Sequence, residues 1–210
     1  MLIEAFGKMV WENLQNTLKP HYEMNHPFLA NWTDKPDLDQ LNEVAGRIFS
    51  YAFANDNLKR LTAGLFIKEI KTVFKNSLKE VKDQDIPIKF NLYSAHETTL
   101  ASVLNALGVY DMEVPPYGAT LMFEFYERKP KQKQMKVYYL KYTEYETPEL
   151  LKLPACNYEE TCDFKMFLKN MNHLIVKNWN SECLNSKLKG SKKGTPLALL
   201  QLDGTGNFCN

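Results

Sequence analysis

Two residues able to move a proton or hold an anion stand side by side where the sequence pattern changes: His96 and Glu97 in "NLYSAHETTLASVLNALG", residues 91–108. Upstream, Ile88, Phe90 and Leu92 alternate with Lys89, Asn91 and Tyr93, the period-2 pattern of a strand. Downstream, the spacing predicts a helix from about Ala95 to Leu107, stopped by Gly108. In an α/β sheet, ligands sit where a strand's carboxyl end leads into a helix N-terminus. Unsatisfied amides and the positive end of the helix dipole favour an anion there. A histidine at that point can donate to a phosphoryl oxygen, and an adjacent protonated carboxyl can give its proton to a leaving alcohol. Such a proton transfer is worth roughly 10²–10⁴ in rate. The charge of a bound phosphate would itself favour the protonated carboxyl of Glu97 in mild acid.

Two plainer readings compete. Ser94-x-x-Glu97 ahead of an apolar run is a capping box, with Ser94 accepting from the third helical amide, Glu97 reaching back and His96 merely exposed between them. "HETTL" also begins like a zinc-protease helix. Its second histidine position holds Leu100, so that metal motif fails and no metal ligands are assigned.

Helices must carry most of the remaining chain. Leu2, Phe6, Met9, Val10, Leu14 and Leu18 have helical spacing, and "KPHYEMNHPFLANWTDKPD" reads as a loop broken by Pro20, Pro27 and Pro36. Leu38, Leu41, Val44, Ala45, Ile48, Phe49, Ala52 and Phe53 make a second helical stripe. After "NDN", a single helix is predicted through Leu61, Leu65, Ile70, Val73, Phe74, Leu78 and Val81. "ATLMFEFYE" and "MKVYYLKY" flank a lysine-rich loop as a hairpin. Phe164, Phe167, Leu168, Met171, Leu174, Ile175 and Trp179 mark a last helix.

The 210 residues are 44% hydrophobic and 24% charged with a formal net charge of +1, which points to a soluble globular protein and to neither nucleic acid nor an anionic membrane as partner. No apolar run reaches a membrane-spanning length, and "MLIEAFGKMV" holds no signal-peptide core. Arginine is scarce: Arg47, Arg60 and Arg128 are the only three. Cys156 and Cys162, in "CNYEETC", are close enough for a loop disulfide, although four reduced thiols, with Cys183 and Cys209, fit the spacing as well. Asn31-Trp32-Thr33 is a glycosylation sequon.

"YSAHETTLASVLNALGVY" followed by "PPYGATLMFEF" resembles the segment of the histidine acid phosphatases that carries a His-Asp pair. "RLTAGLFIKEI" is similar to a helix of that family's α-domain, and "LPACNYEETCDFKMFL…NWNSEC" to its cysteine-bearing section, so the resemblance runs from near His21 to Cys183. It implies an α/β class and a partial histidine-phosphatase-like fold. A mainly helical subdomain would occupy residues 1–85, part of the α/β domain with an incomplete sheet layer 86–183, and a flexible tail 184–210. It implies hydrolysis of phosphate monoesters at acid pH through a phosphohistidine, without metal or other cofactor. His96 would be the phosphate-contacting histidine and Glu97 the proton donor, where the family has Asp. The extra methylene can displace the proton by about 1 Å, which can cost on the order of 10² in rate.

The family's nucleophile lies in an Arg-His-Gly-x-Arg-x-Pro motif, and no Arg-His-Gly occurs in this sequence. His21 and His26 read as loop residues and His173 as an exposed helix position, none beside an arginine. Removing a covalent nucleophile can cost on the order of 10⁶ in rate. The expectation is therefore a nearly inactive C-terminal portion of a longer, secreted or lysosomal phosphatase whose signal peptide and other strands lie upstream. The resemblance also implies a Cys156–Cys162 bridge and leaves Cys183 with Cys209, another chain or no partner. Exposed apolar surface would then favour homo-oligomers. A second reading is a non-catalytic secreted binding or interaction protein derived from the same fold.

Overall fold

The computed structural model describes residues 14, 17–24, 26, 36–77, 89–129 and 132–183. Asn31, Ile88, Cys209, most of the first predicted helix and the tail over 184–210 lie outside them. Five helices are labelled here: α1 (Pro36–Ala52), α2 (Asp56–Thr62), α3 (Gly64–Ser77), α4 (Glu97–Leu107) and α5 (Phe164–Met171). The strands are β1 (Thr120–Lys129), β2 (Gln132–Leu140), β3 (Glu149–Leu150) and β4 (Cys162–Asp163), with 3-10 turns at Pro154–Cys156 and Asn172–Leu174.

Hydrophobic spacing explains most of these elements. In α1, Leu38, Leu41, Ala45 and Phe49 are buried. Ala45 and Phe49 meet Ala101 of α4 and Val114 beyond it. The single helix predicted after "NDN" is two. Asn55 caps α2, its side-chain oxygen accepting from Leu58 N at 3.0 Å, and a break at Ala63 separates α2 from α3. The break falls where the backbones touch, since a Cβ on Gly64 would stand 2.2 Å from the Leu174 carbonyl oxygen. Pro20, read as a breaker, interrupts nothing: residues 17–23 are helical, and the Pro20 carbonyl accepts from Met24 N at 2.9 Å. His21 is therefore helical rather than in a loop.

The sheet is small and antiparallel. β1 and β2 form the predicted hairpin, in a register that sets Phe123 opposite Val137 and Phe125 opposite Met135. β3 and β4 pair with the other edge of β2, at Tyr138↔Leu150 and Met135↔Cys162. α3 lays Ile67, Ile70 and Phe74 on one face of this sheet. Val103 and Leu107 of α4 and Phe164 and Phe167 of α5 complete the main core. Phe74 sits between Phe125 and Phe164, with ring centroids 5.2 and 3.5 Å away. Truncating such a ring to alanine costs about 3–5 kcal/mol.

The strand predicted through Phe90 and Leu92 is absent from the described residues. Residues 89–96 have no regular structure, and Phe90 and Leu92 are 77% and 80% exposed. Alternation marks a two-faced segment, but a strand exists only when a neighbour accepts its ladder of hydrogen bonds. None of the described strands pairs with this one, and the outer edge of β1 is also unpaired among them.

The last predicted helix is also interrupted. It ends at Met171 and passes into the 3-10 turn, while Trp179 lies in a separate helical turn over 179–183 and donates from its indole to Leu61 O at 2.8 Å. Arg60 of α2 grips this segment, bonding both Glu182 carboxylate oxygens at 2.5 and 2.9 Å and the His173 carbonyl at 2.6 Å. His173 itself is exposed. At the other end of the sheet, Lys141 is held by Asp111 at 2.6 Å and Glu113 at 2.8 Å, tying the α4–β1 connection to the end of β2.

Glycine-to-alanine substitution within a helix ordinarily gains about 1 kcal/mol. A Cβ on Gly46 would fall 1.9 Å from the Met112 carbonyl oxygen, so Gly46→Ala and Gly64→Ala are each expected to lose stability instead. Roughly 1–3 kcal/mol is expected from overpacking, read as a lower urea midpoint; a raised midpoint would contradict the close backbone approach. The hydrogen bonds from Arg60 hold the Glu182 carboxyl at about 2, below its ordinary 4.5, against an opposing push from burial. A depressed carboxylate stabilises the fold above 4.5, and that contribution drains away as pH falls towards 2. Glu182→Gln is expected to lower stability at neutral pH by about 1 kcal/mol, the scale of a partly exposed pair. Its difference from the parent should vanish near pH 2 in acid titrations of unfolding.

Candidate functional site

The chain entering α4 passes through exposed residues and turns helical at Glu97. His96 is the N-cap, with φ −99° and ψ 163°, and its carbonyl accepts from Thr99 N at 3.0 Å and Leu100 N at 3.2 Å. Its imidazole makes no capping bond and is exposed. The amides of Glu97 and Thr98 have no acceptor among the described residues. Glu97, half-buried in the first turn, forms no hydrogen bond or ion pair with a described residue. At the far end, α4 stops at Gly108 as expected, and the glycine closes it in the left-handed conformation, with φ 77°. α4 is held from that end by burial of Ala101, Val103, Leu104 and Leu107.

The capping-box reading does not survive this geometry. Ser94 lies two residues before the N-cap, accepts no helical amide, and Glu97 does not reach back. The position that residue types such as Ser, Thr, Asp or Asn ordinarily fill is taken by a histidine that does not cap. What remains at the junction is an imidazole, a carboxyl and free amides at the positive end of an eleven-residue helix. Chemically, that set can receive an oxyanion and supply a proton beside it.

Three side chains missed in the sequence, Tyr93, Glu69 and Phe66, hold the approach to this junction. The Tyr93 hydroxyl donates to Glu69 Oε1 at 3.0 Å, and its ring meets Phe66 edge-on at 5.5 Å and 90°. The alternation of residues 88–93 places Tyr93 only on the polar face of a strand. Its aromatic character three residues before His96 was the available signal. The arginines lie elsewhere: Arg47 pairs with Glu43 on α1, Arg60 with Glu182, and Arg128 is exposed near the end of β1. No group of three or more metal-ligating side chains occurs among the described residues. Among them, too, no helix is long and apolar enough to cross a membrane.

Cys156 and Cys162 are bridged, with Cα atoms 5.2 Å apart, which agrees with the resemblance and sets aside the reading of four reduced thiols. The bridge ties the 3-10 turn to β4 beneath α5. Cys183 is buried and also disulfide-bonded, which sets aside the option of an unpartnered thiol.

Comparison with known proteins agrees with the resemblance in the sequence. The chain is 29% identical over 178 residues to the lysosomal acid phosphatase of Bos taurus, covering 83% of this chain and 40% of that protein. It is 28% identical over 196 residues to the prostatic acid phosphatase of Homo sapiens, covering 91% of this chain and 47% of that protein. The prostatic enzyme of Mus musculus is 29% identical over 188 residues. The chain thus spans less than half the length of these curated relatives. Residues 6–143 match the family described as the histidine phosphatase superfamily (branch 2), and the chain belongs to that family.

Proposed function

We propose that this chain supplies the phosphate-contact and proton-donor side of an acid phosphatase site, with His96 facing the phosphoryl group and Glu97 protonating the leaving alcohol. The nucleophilic histidine and the arginine clamp of the reaction come from an Arg-His-Gly segment that this sequence does not contain. The substrates are phosphate monoesters, and the compartment is the secreted or lysosomal one of the relatives. The observation that carries the reading is the uncapped N-cap. A helix that would gain from a short polar side chain carries an exposed imidazole there, beside amides and a carboxyl that have no partner among the described residues. Local stability is given up at the one position where an anion would be received.

In the covalent step, a nucleophilic histidine attacks phosphorus and the ester oxygen departs with the electron pair of the P–O bond. Glu97 gives that oxygen its proton, so alcohol leaves as a neutral molecule and the phosphoryl group rests on histidine. Water then attacks phosphorus while the Glu97 carboxylate takes the proton back, releasing inorganic phosphate and free histidine. His96 donates to the phosphoryl oxygens throughout, and the helix N-terminus adds its partial positive charge.

Stability and activity should move in opposite directions at His96. His96→Asp is expected to stabilise α4 by about 1 kcal/mol through a real N-cap, raising the urea midpoint. In the protein as isolated at its natural length, His96→Ala should lower kcat/KM for a chromogenic phosphate ester at acid pH by about 10²–10⁴. Wild-type turnover by that variant would remove His96 from the site. Glu97→Gln should reduce kcat most for esters with poor leaving groups, and Glu97→Asp should retain activity. The 210-residue polypeptide by itself should hydrolyse the ester at a rate lower by about 10⁶ than a complete family enzyme. Substantial activity that resists His96→Ala would favour a different chemistry.

A further inference from the structure

We infer that Tyr93 is a positioning residue for His96, gripped at two points by α3; the inference rests on the reading of His96 as the phosphate-contacting side chain. Residues 89–96 are exposed and irregular, and a segment of that kind does not by itself hold a side chain in one place. Apart from the helical bonds to the His96 carbonyl, the hydrogen bond and ring contact that fasten this stretch to other described residues both belong to Tyr93. Its hydroxyl donates to Glu69 at 3.0 Å and its ring packs edge-on against Phe66.

Phe66 and Glu69 are three residues apart on α3 and so share a face one turn apart. One supports the ring while the other accepts from the hydroxyl. Phe66 in turn meets Phe123 of β1, with centroids 6.2 Å apart and planes at 61°. The grip therefore continues into the sheet rather than ending on a loose surface side chain. An ionised acceptor makes the Tyr93–Glu69 bond stronger than a neutral pair. Burial, that hydrogen bond and the Glu69 charge all push the phenol upward, so it remains a donor at neutral and acid pH. Tyr93 and His96 are separated by three residues, at most about 11 Å of extended chain. With α4 fixing the other side, little slack remains at the N-cap. A displacement of about 1 Å at a reacting group can cost on the order of 10² in rate.

The test uses amide hydrogen exchange, the ¹H–¹⁵N resonance of the His96 ring, and inorganic phosphate as the probe. Tyr93→Phe and Glu69→Leu should each raise exchange at residues 94–98 by about tenfold, with no change in the amides of 101–107. Both should shift the His96 ring resonance and weaken phosphate binding about threefold to tenfold. Glu69→Gln keeps an acceptor oxygen and should restore all three readouts to near the parent values, which a merely structural role would not require. Unchanged exchange and an unchanged ring resonance in Tyr93→Phe and Glu69→Leu would overturn the inference. If His96→Ala leaves phosphate binding intact, the phosphate reading fails on its own, because exchange and ring resonance still decide the positioning role.

Discussion

Helix α3 has one apolar face to bury, and the placement of almost everything else follows from how it does so. Ile67, Ile70 and Phe74 go down onto the hairpin, where the register has already put Phe125 opposite Met135 and Phe123 opposite Val137. Fully burying such a side chain is worth about 1.5–3 kcal/mol, so this seam outweighs any single polar contact in the molecule. Its position then fixes two neighbours. Gly64, at the start of α3, lies against the backbone of Leu174, and Phe66 and Glu69, along its flank, reach the chain entering α4. The helix that makes the core also makes the site's approach.

At the junction the local rules of helix formation are broken once, and only at the front. The rear of α4 ends as helices commonly do, on a left-handed glycine whose amide returns to Asn105 and Leu104. The front begins on a histidine whose side chain makes no capping bond. A helix ordinary at one end and under-stabilised at the other is what a binding edge looks like when packing alone carries the stability. Here six buried residues of α4 supply that packing, so the N-terminal turn can leave its amides without acceptors among the described residues.

How far the sequence could be read depended on whether the deciding partner was local. The β1–β2 hairpin and Gly108 were legible because alternation and a left-handed cap are decided within a few residues. The reading of one helix from Leu61 through Val81 failed at Ala63, where the adjoining Gly64 lies against a carbonyl more than a hundred residues away, at Leu174. The helix expected through Trp179 ended early for a similar reason: Arg60 and the Leu61 carbonyl, on α2, take up the His173 carbonyl, Glu182 and the Trp179 indole. At the junction, alternation suggested a strand through Phe90 and Leu92, but a strand needs a neighbour to take its hydrogen bonds, and no described strand pairs with that stretch. The capping box looked complete in the one-letter code because Ser94 and Glu97 have the right spacing. It failed because the helix starts two residues later than that spacing assumes.

Electrostatics sets what the junction can do unaided. A phosphate dianion brought to His96 would meet the dipole of one helix, worth about 0.3–1 kcal/mol at an exposed site, and one imidazole. Two of the three arginines are already committed to carboxylates, Arg47 to Glu43 and Arg60 to Glu182, so neither is free to make the planar, bidentate contact that a phosphoryl group favours. The net charge of +1 adds no steering field. Binding of an anion at this edge alone should therefore be weak and salt-sensitive. Phe90 and Leu92, immediately upstream, are exposed, so the junction also lacks apolar cover on that side. Open to water, each hydrogen bond offered there is worth less than it would be in a low-dielectric pocket, because hydrogen-bond and charge interactions weaken as the local dielectric rises.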